Sequence, residues 1–125
     1  MIVAGFGFRA EATLSALQEA LASAQHGQPR VTLLATPQGK AALVERLAEA
    51  INVPLVAILP DALRSVQTPT QSTASLEARQ TGSVAEACAL AAAGPGARLL
   101  SLRHISPDRM ATCAIARSGT QGPAA

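Results

Sequence analysis

Apolar residues fall in short blocks, and the blocks alternate between two periodicities. Ile2 to Phe6 is a short apolar run punctuated by Gly5 and Gly7, the signature of a buried strand. Residues 10 to 24 then place Leu14, Leu17 and Leu21 at helical spacing among alanines, with Glu11, Gln18 and Glu19 as polar positions. His26-Gly27-Gln28-Pro29 ends that helix. Arg30 to Ala35, with Val31, Leu33 and Leu34, predicts a second buried strand. Thr36-Pro37 follows as an N-cap and a proline at the first helical position. The helix so opened runs to about Ile51, with Leu43, Leu47, Ala50 and Ile51 on one face and Asn52 as its stop. Pro54 to Leu59 is a third strand, and Pro60-Asp61 opens a short helix through Val66.

The pattern then changes. Residues 67 to 81 are polar and carry no period, which predicts a long loop within one domain, a kind of loop that is often functional. Gly82-Ser83-Val84-Ala85-Glu86 reads as a helix start, because Ser83 and Glu86 have the spacing of a capping box. That helix ends at Gly94-Pro95-Gly96. Arg98 to Leu102 and Met110 to Arg117 are two further strands, joined by a polar turn around Pro107-Asp108. With no helix between them they pair antiparallel. The order β-α-β-α-β-α-loop-α-β-β predicts a three-layer α/β/α sandwich with a mostly parallel, mixed five-stranded sheet whose last strand is antiparallel. Residues 1–117 form a single domain in this reading, and 118–125 a disordered tail.

Composition narrows the function. The chain has 125 residues, 49% of them hydrophobic, enough for a real core. Aromatic residues are only 2%, Phe6 and Phe8, which argues against base-stacking modules, sugar platforms and aromatic cages. The net charge is +2 without a basic run, so neither a nucleic acid nor a membrane is an expected partner. The basic set is Lys40 and otherwise arginines, and guanidinium forks match carboxylate or phosphate groups. Cys88 and Cys113 sit in no C-x-x-C, so no disulfide framework is expected and the cytoplasm is the expected compartment. The two cysteines and His26 and His104 have no ligand spacing, so no metal is expected. Both cysteines read as small core residues and both histidines as surface residues.

Three places carry possible chemistry. Gly5-Phe6-Gly7-Phe8-Arg9-Ala10 matches G-x-G-x-x-A between a strand and a helix. A dinucleotide site also needs an acidic residue at the end of the second strand, and Ala35-Thr36-Pro37 supplies none. What remains is a tight strand-to-helix turn, or a turn whose backbone meets another anionic ligand with Arg9 as the charge. The second place is Thr36 with Lys40, beyond the carboxyl end of the second strand, the alternative being an N-cap and a solvated lysine. The third is Thr70, Ser72, Thr73, Arg79, Thr81, Gly82 and Ser83, a polar loop meeting a helix N-terminus, with Glu86 as the capping partner. No nucleophile–base set, carboxylate pair or metal motif can be assembled by spacing, so no catalytic residue is assigned.

The motifs also occur in a recognisable order. Gly5-Phe6-Gly7-Phe8-Arg9, Leu34-Ala35-Thr36, Val53-Pro54-Leu55-Val56, Thr70-Gln71-Ser72, Thr81-Gly82-Ser83-Val84-Ala85-Glu86-Ala87 and Gly96-Ala97-Arg98-Leu99-Leu100 follow one another along the chain. In this order the sequence resembles the CobE/CbiG C-terminal family of cobalamin (vitamin B12) biosynthesis proteins, from about residue 1 to 117. Ala10 stands where that family often has a second basic residue, and Pro37-Gln38-Gly39 where it often has acidic ones. The resemblance implies a role in building the corrin ring. With nothing before residue 1, it implies the stand-alone CobE type of the oxygen-dependent pathway. The ligand implied is a precorrin or corrinoid intermediate, with no cofactor and with other cobalamin-biosynthesis enzymes as further partners. Such a macrocycle is flat, apolar and rimmed by carboxylates. A substrate-binding crevice would then draw on Gly5, Gly7, Arg9, Thr36, Lys40, Thr70, Ser72, Thr81, Gly82, Ser83 and Glu86. The alternative is a hydrolase or isomerase acting on a precorrin lactone or side chain, like a cobalt-precorrin-5A hydrolase. A nucleotide-binding domain is the third reading.

Overall fold

The computed structural model describes residues 1–64 and 84–119 of the chain. Its elements are β1 (Ile2–Phe8), α1 (Leu14–Gln25), β2 (Leu33–Pro37), α2 (Ala41–Ile51), β3 (Leu55–Ile58), α3 (Pro60–Arg64), α4 (Val84–Ala93), β4 (Arg98–Ile105) and β5 (Ala111–Arg117). The strands form one sheet in the order β3-β2-β1-β5-β4. β1, β2 and β3 pair parallel, and β5 runs antiparallel to both β1 and β4. The last strand is therefore the antiparallel one, as the missing crossover helix requires.

Side-chain alternation divides the core into two layers. On one side Ala4 and Phe6 of β1, Leu34 of β2 and Cys113 and Ile115 of β5 pack against Leu17, Ala20 and Leu21 of α1 and Val44 and Leu47 of α2. On the other, Val3, Ala35, Ile58 and Ala116 pack against Ala87, Cys88, Ala89 and Ala93 of α4, with Ala62 of α3 alongside. The first layer holds the large side chains and the second is built from small ones. Small residues gain little from burial individually, so the second layer depends on close approach.

Gly5 and Gly7 supply that approach. The spacing predicted that β1 ends near Phe6 and the glycines form a turn. Instead β1 continues to Phe8, and both glycines are buried strand residues. A Cβ on Gly5 would collide with the Ala85 carbonyl oxygen and stand 2.5 Å from the Ala89 nitrogen. A Cβ on Gly7 would stand 3.1 Å from Thr112 Oγ1 and 3.1 Å from Val84 Cβ. The first helix starts correspondingly later than residue 10. Its N-cap is Thr13, whose Oγ1 accepts the Ala16 N–H at 3.2 Å.

The second helix is also displaced. Thr36 and Pro37 do not open it. They extend β2, paired with Ala57 and Ile58 of β3. Gly39 then turns the chain at φ +94°, and α2 begins at Ala41 with Lys40 in the N-cap position. Proline fits at a strand end because its missing N–H costs nothing where no partner is needed. Leu43, Leu47 and Ile51 pack on the core as the spacing predicts, joined by the buried Val44 and Ala48, whereas Ala50 is exposed. Asn52 ends the helix in the left-handed region, at φ 58°. Of the expected tail, Ser118 is tied to the amino terminus, its N–H donating to the Met1 carbonyl at 2.9 Å. Residues 120–125 lie outside the described part.

Candidate functional site

The crossovers from β1 to β2 and β3 move the chain one way across the sheet, and the chain then returns to β4 and β5 on the far side of β1. The direction reverses at β1. Open α/β sheets bind ligands beyond the carboxyl ends of strands at such a point. The edge there carries Phe8 at the end of β1 and Arg9 after it, Thr36 and Pro37 at the end of β2 and Gln38 to Lys40 after it, Leu59 after β3 and the first turn of α4.

Arg9 is exposed, and its backbone N–H donates to the Met110 carbonyl at 2.9 Å. Lys40 is half-buried. Its Nζ donates to the Phe8 carbonyl at 2.6 Å and lies 5.2 Å from the centre of the Phe8 ring. The lysine thus ties the end of β1 to the start of α2, with a cation–π contact besides. Thr36 is fully buried, and its Oγ1 has no hydrogen-bond partner among the described residues. A buried hydroxyl in that state carries an uncompensated desolvation cost. In the alternation of β2 it shares the side of Leu34, facing the layer of α1 and α2.

Gly5 and Gly7 sit one layer inside this edge, under α4, and form no turn at it. Glu86 is fully buried in the first turn of α4, and its Oε2 accepts the Arg103 N–H at 3.0 Å. That N–H belongs to an irregular stretch of β4. Ser101 pairs with Ile115 and His104 with Cys113, so β4 has one residue more than β5 between these pairs. The carboxylate therefore serves the β4 backbone, and its expected capping partner Ser83 lies outside the described residues. Thr70, Ser72, Thr81 and Gly82 also lie outside them.

Sequence reasoning missed Arg109. β5 pairs with β1 from Ile2↔Arg117 to Phe8↔Ala111, which lifts the β4–β5 turn beside Arg9. Arg109 is exposed there, at φ 62°, with its N–H donating to the Ser106 carbonyl at 2.8 Å. Asp108 holds the turn: Oδ1 accepts the Ser106 hydroxyl at 2.6 Å and the Met110 N–H at 3.0 Å. The Ser106 hydrogen bond, followed by that of Met110, keeps the Asp108 carboxyl below its ordinary range. Only the antiparallel register brings this turn to the edge, so no local signal marks Arg109.

His26 and His104 are exposed, and Cys88 and Cys113 are buried. Among the described residues no group of three His, Cys, Asp or Glu is placed to hold a metal, and no helix is long and apolar enough to cross a membrane. A separate groove of about 460 Å³ opens at the other end, between the carboxyl ends of α1 and α2. Leu21, Val31, Leu47 and Ile51 line it, with His26 and Arg30 at its rim.

Several solved structures resemble the chain, among them the three that follow. CobE, a protein from the cobalamin (vitamin B12) biosynthetic pathway, matches with a TM-score of 0.85 and 28% identity, over 97% of this chain and 92% of that one. Cobalamin biosynthesis protein chiG from Agrobacterium tumefaciens str. C58 matches with a TM-score of 0.74 and 33% identity, over 96% of this chain and 100% of that one. A putative cobalamin biosynthesis protein G homolog from Sulfolobus solfataricus shares the fold, with a TM-score of 0.70 and 18% identity over 92% of this chain and 36% of that one. No curated protein sequence matches significantly. The family model described as cobalamin synthesis G C-terminus matches residues 2–116, and the chain, with its five-stranded mixed sheet, belongs to that family of cobalamin-biosynthesis proteins.

Proposed function

We propose that the protein binds a precorrin-type or corrinoid intermediate of cobalamin biosynthesis at the carboxyl edge of its sheet. The observation carrying this reading is that Arg9, Lys40 and Arg109, from three separate connections, share that edge. A ring rimmed by carboxylates needs several cations at spaced points, and the exposed Arg9 and Arg109 with the half-buried Lys40, on separate connections, provide them. Leu59, 56% exposed, and Ile105, 40% exposed, stand at the carboxyl ends of the two edge strands and offer apolar surface to a ring face. Thr70, Ser72, Thr81, Gly82 and Ser83 precede α4 in sequence and belong to the proposed site as further hydrogen-bond donors.

Titration with hydrogenobyrinic acid, followed by its visible spectrum, tests the reading. A saturable shift at micromolar protein is expected, with the pigment recovered unchanged. A chemically altered pigment favours an enzyme, and the absence of any shift or retained pigment counts against binding altogether. Arg9→Ala should weaken binding about three- to tenfold, the range for losing one charge-assisted contact at an exposed site. Unchanged affinity removes Arg9 from the site.

A further inference from the structure

The start of α2 combines features that its packing does not use. The helix has eleven residues, no side-chain hydrogen bond at its N-cap and no acidic residue in its first turn. Among the described residues, neither the N-cap side chain nor an acidic residue of the first turn compensates its N-terminal N–H groups and the positive end of its dipole. Gly39, at φ +94°, leaves the approach open: a Cβ there would meet no described atom within 4 Å. Just before this turn stands Thr36, fully buried, with a hydroxyl that has no hydrogen-bond partner among the described residues. Its side of the sheet is the one that α2 covers.

A buried hydroxyl without a partner, on the side of the sheet that an uncapped helix start covers, carries a desolvation cost. The hydroxyl and the helix start are satisfied together if a carboxylate enters. One carboxylate oxygen accepts the Thr36 hydroxyl and the other accepts N–H groups of the first turn of α2. Lys40, held against Phe8, adds a cation at the mouth. An apolar ligand satisfies neither group, and a cationic one opposes both the dipole and the lysine.

We infer that Thr36 and the N-terminus of α2 form a buried subsite for one carboxylate arm of the ligand, and that Thr36 selects an ionised arm over an esterified or amidated one. This rests on the corrinoid-binding reading and is testable apart from it. Hydrogenobyrinic acid and its fully methylated ester serve as probes, against the wild type, Thr36→Val, Thr36→Ser and Ala42→Glu. Val has the shape of Thr without the hydroxyl. Thr36→Val should melt no lower than the wild type, because an unsatisfied hydroxyl is removed, yet bind the acid about tenfold more weakly. Thr36→Ser should keep the affinity. Ala42 is exposed in the first turn of α2, and Glu there should hold or raise the melting temperature while weakening the acid severalfold. The ester should bind the wild type, Thr36→Val and Ala42→Glu alike. If the wild type binds no acid, the corrinoid reading itself fails. If it binds and both variants bind equally well, or the ester loses as much as the acid, only the subsite is overturned. A lower melting temperature for Thr36→Val shows that the hydroxyl is structurally engaged and also overturns it.

Discussion

Gly5 shows what one absent Cβ decides. α4 offers β1 mostly alanines, so the contact works only at short range, and at Gly5 the neighbours are backbone atoms of Ala85 and Ala89. Backbone cannot rotate away as a side chain can. Gly5→Ala should therefore push α4 off the sheet and cost about 1–3 kcal/mol or more in urea unfolding, the range for overpacking a tight core. Gly7→Ala should cost less, because Thr112 Oγ1 and Val84 Cβ are side-chain atoms that can yield. The sequence marks both glycines as special. It cannot say whether they bend the chain or make room beneath a helix, because that depends on a helix lying nearly eighty residues further on.

Single elements are secured by polar contacts that reach across gaps in the regular pairing. Glu86 of α4 closes one such gap by accepting the Arg103 N–H in the irregular part of β4. Asp108 closes another, in the β4–β5 turn, with the Ser106 hydroxyl and the Met110 N–H as its donors. These donors lower the Asp108 carboxyl pKa in the folded protein. A depressed carboxylate pKa contributes stability at pH above the unfolded value, and the contribution is lost as pH falls through the folded value. The Asp108 carboxyl resonance should accordingly titrate below the ordinary aspartate range by NMR. Asp108→Asn should abolish that titration and flatten this part of the acid-side loss of stability. The turn was legible as Pro107-Asp108, but its place beside Arg9 was not, because a turn sequence carries no information about the strand it will adjoin.

The whole molecule is three layers whose two interfaces carry one thiol each. Cys113 lies between the sheet and α1, and Cys88 between the sheet and α4. Both are buried, and burial pushes the Cys113 thiol well above its ordinary value. Neither should react with a thiol reagent such as dithiobis-nitrobenzoate in the native state. Both should label together in urea, at a rate that follows global unfolding. Labelling of Cys88 alone under native conditions would show that the α4 layer opens separately.

The sequence alone determined the alternation of strands and helices, the mixed sheet with its antiparallel last strand, the buried cysteines, the exposed histidines and the family. These follow from periodicity and from the order of motifs, and both are local properties of the chain. The tertiary structure decided where β1 and β2 end, since pairing with neighbouring strands carried them past Phe6 and through Thr36-Pro37. It turned an expected helix cap at Thr36 into a buried hydroxyl with no partner among the described residues, and it brought Arg109 to the edge of Arg9 and Lys40. Such outcomes rest on hydrogen-bond registers between distant segments. Two segments compete there for the same backbone groups, and local preference yields to the pairing that satisfies more of them.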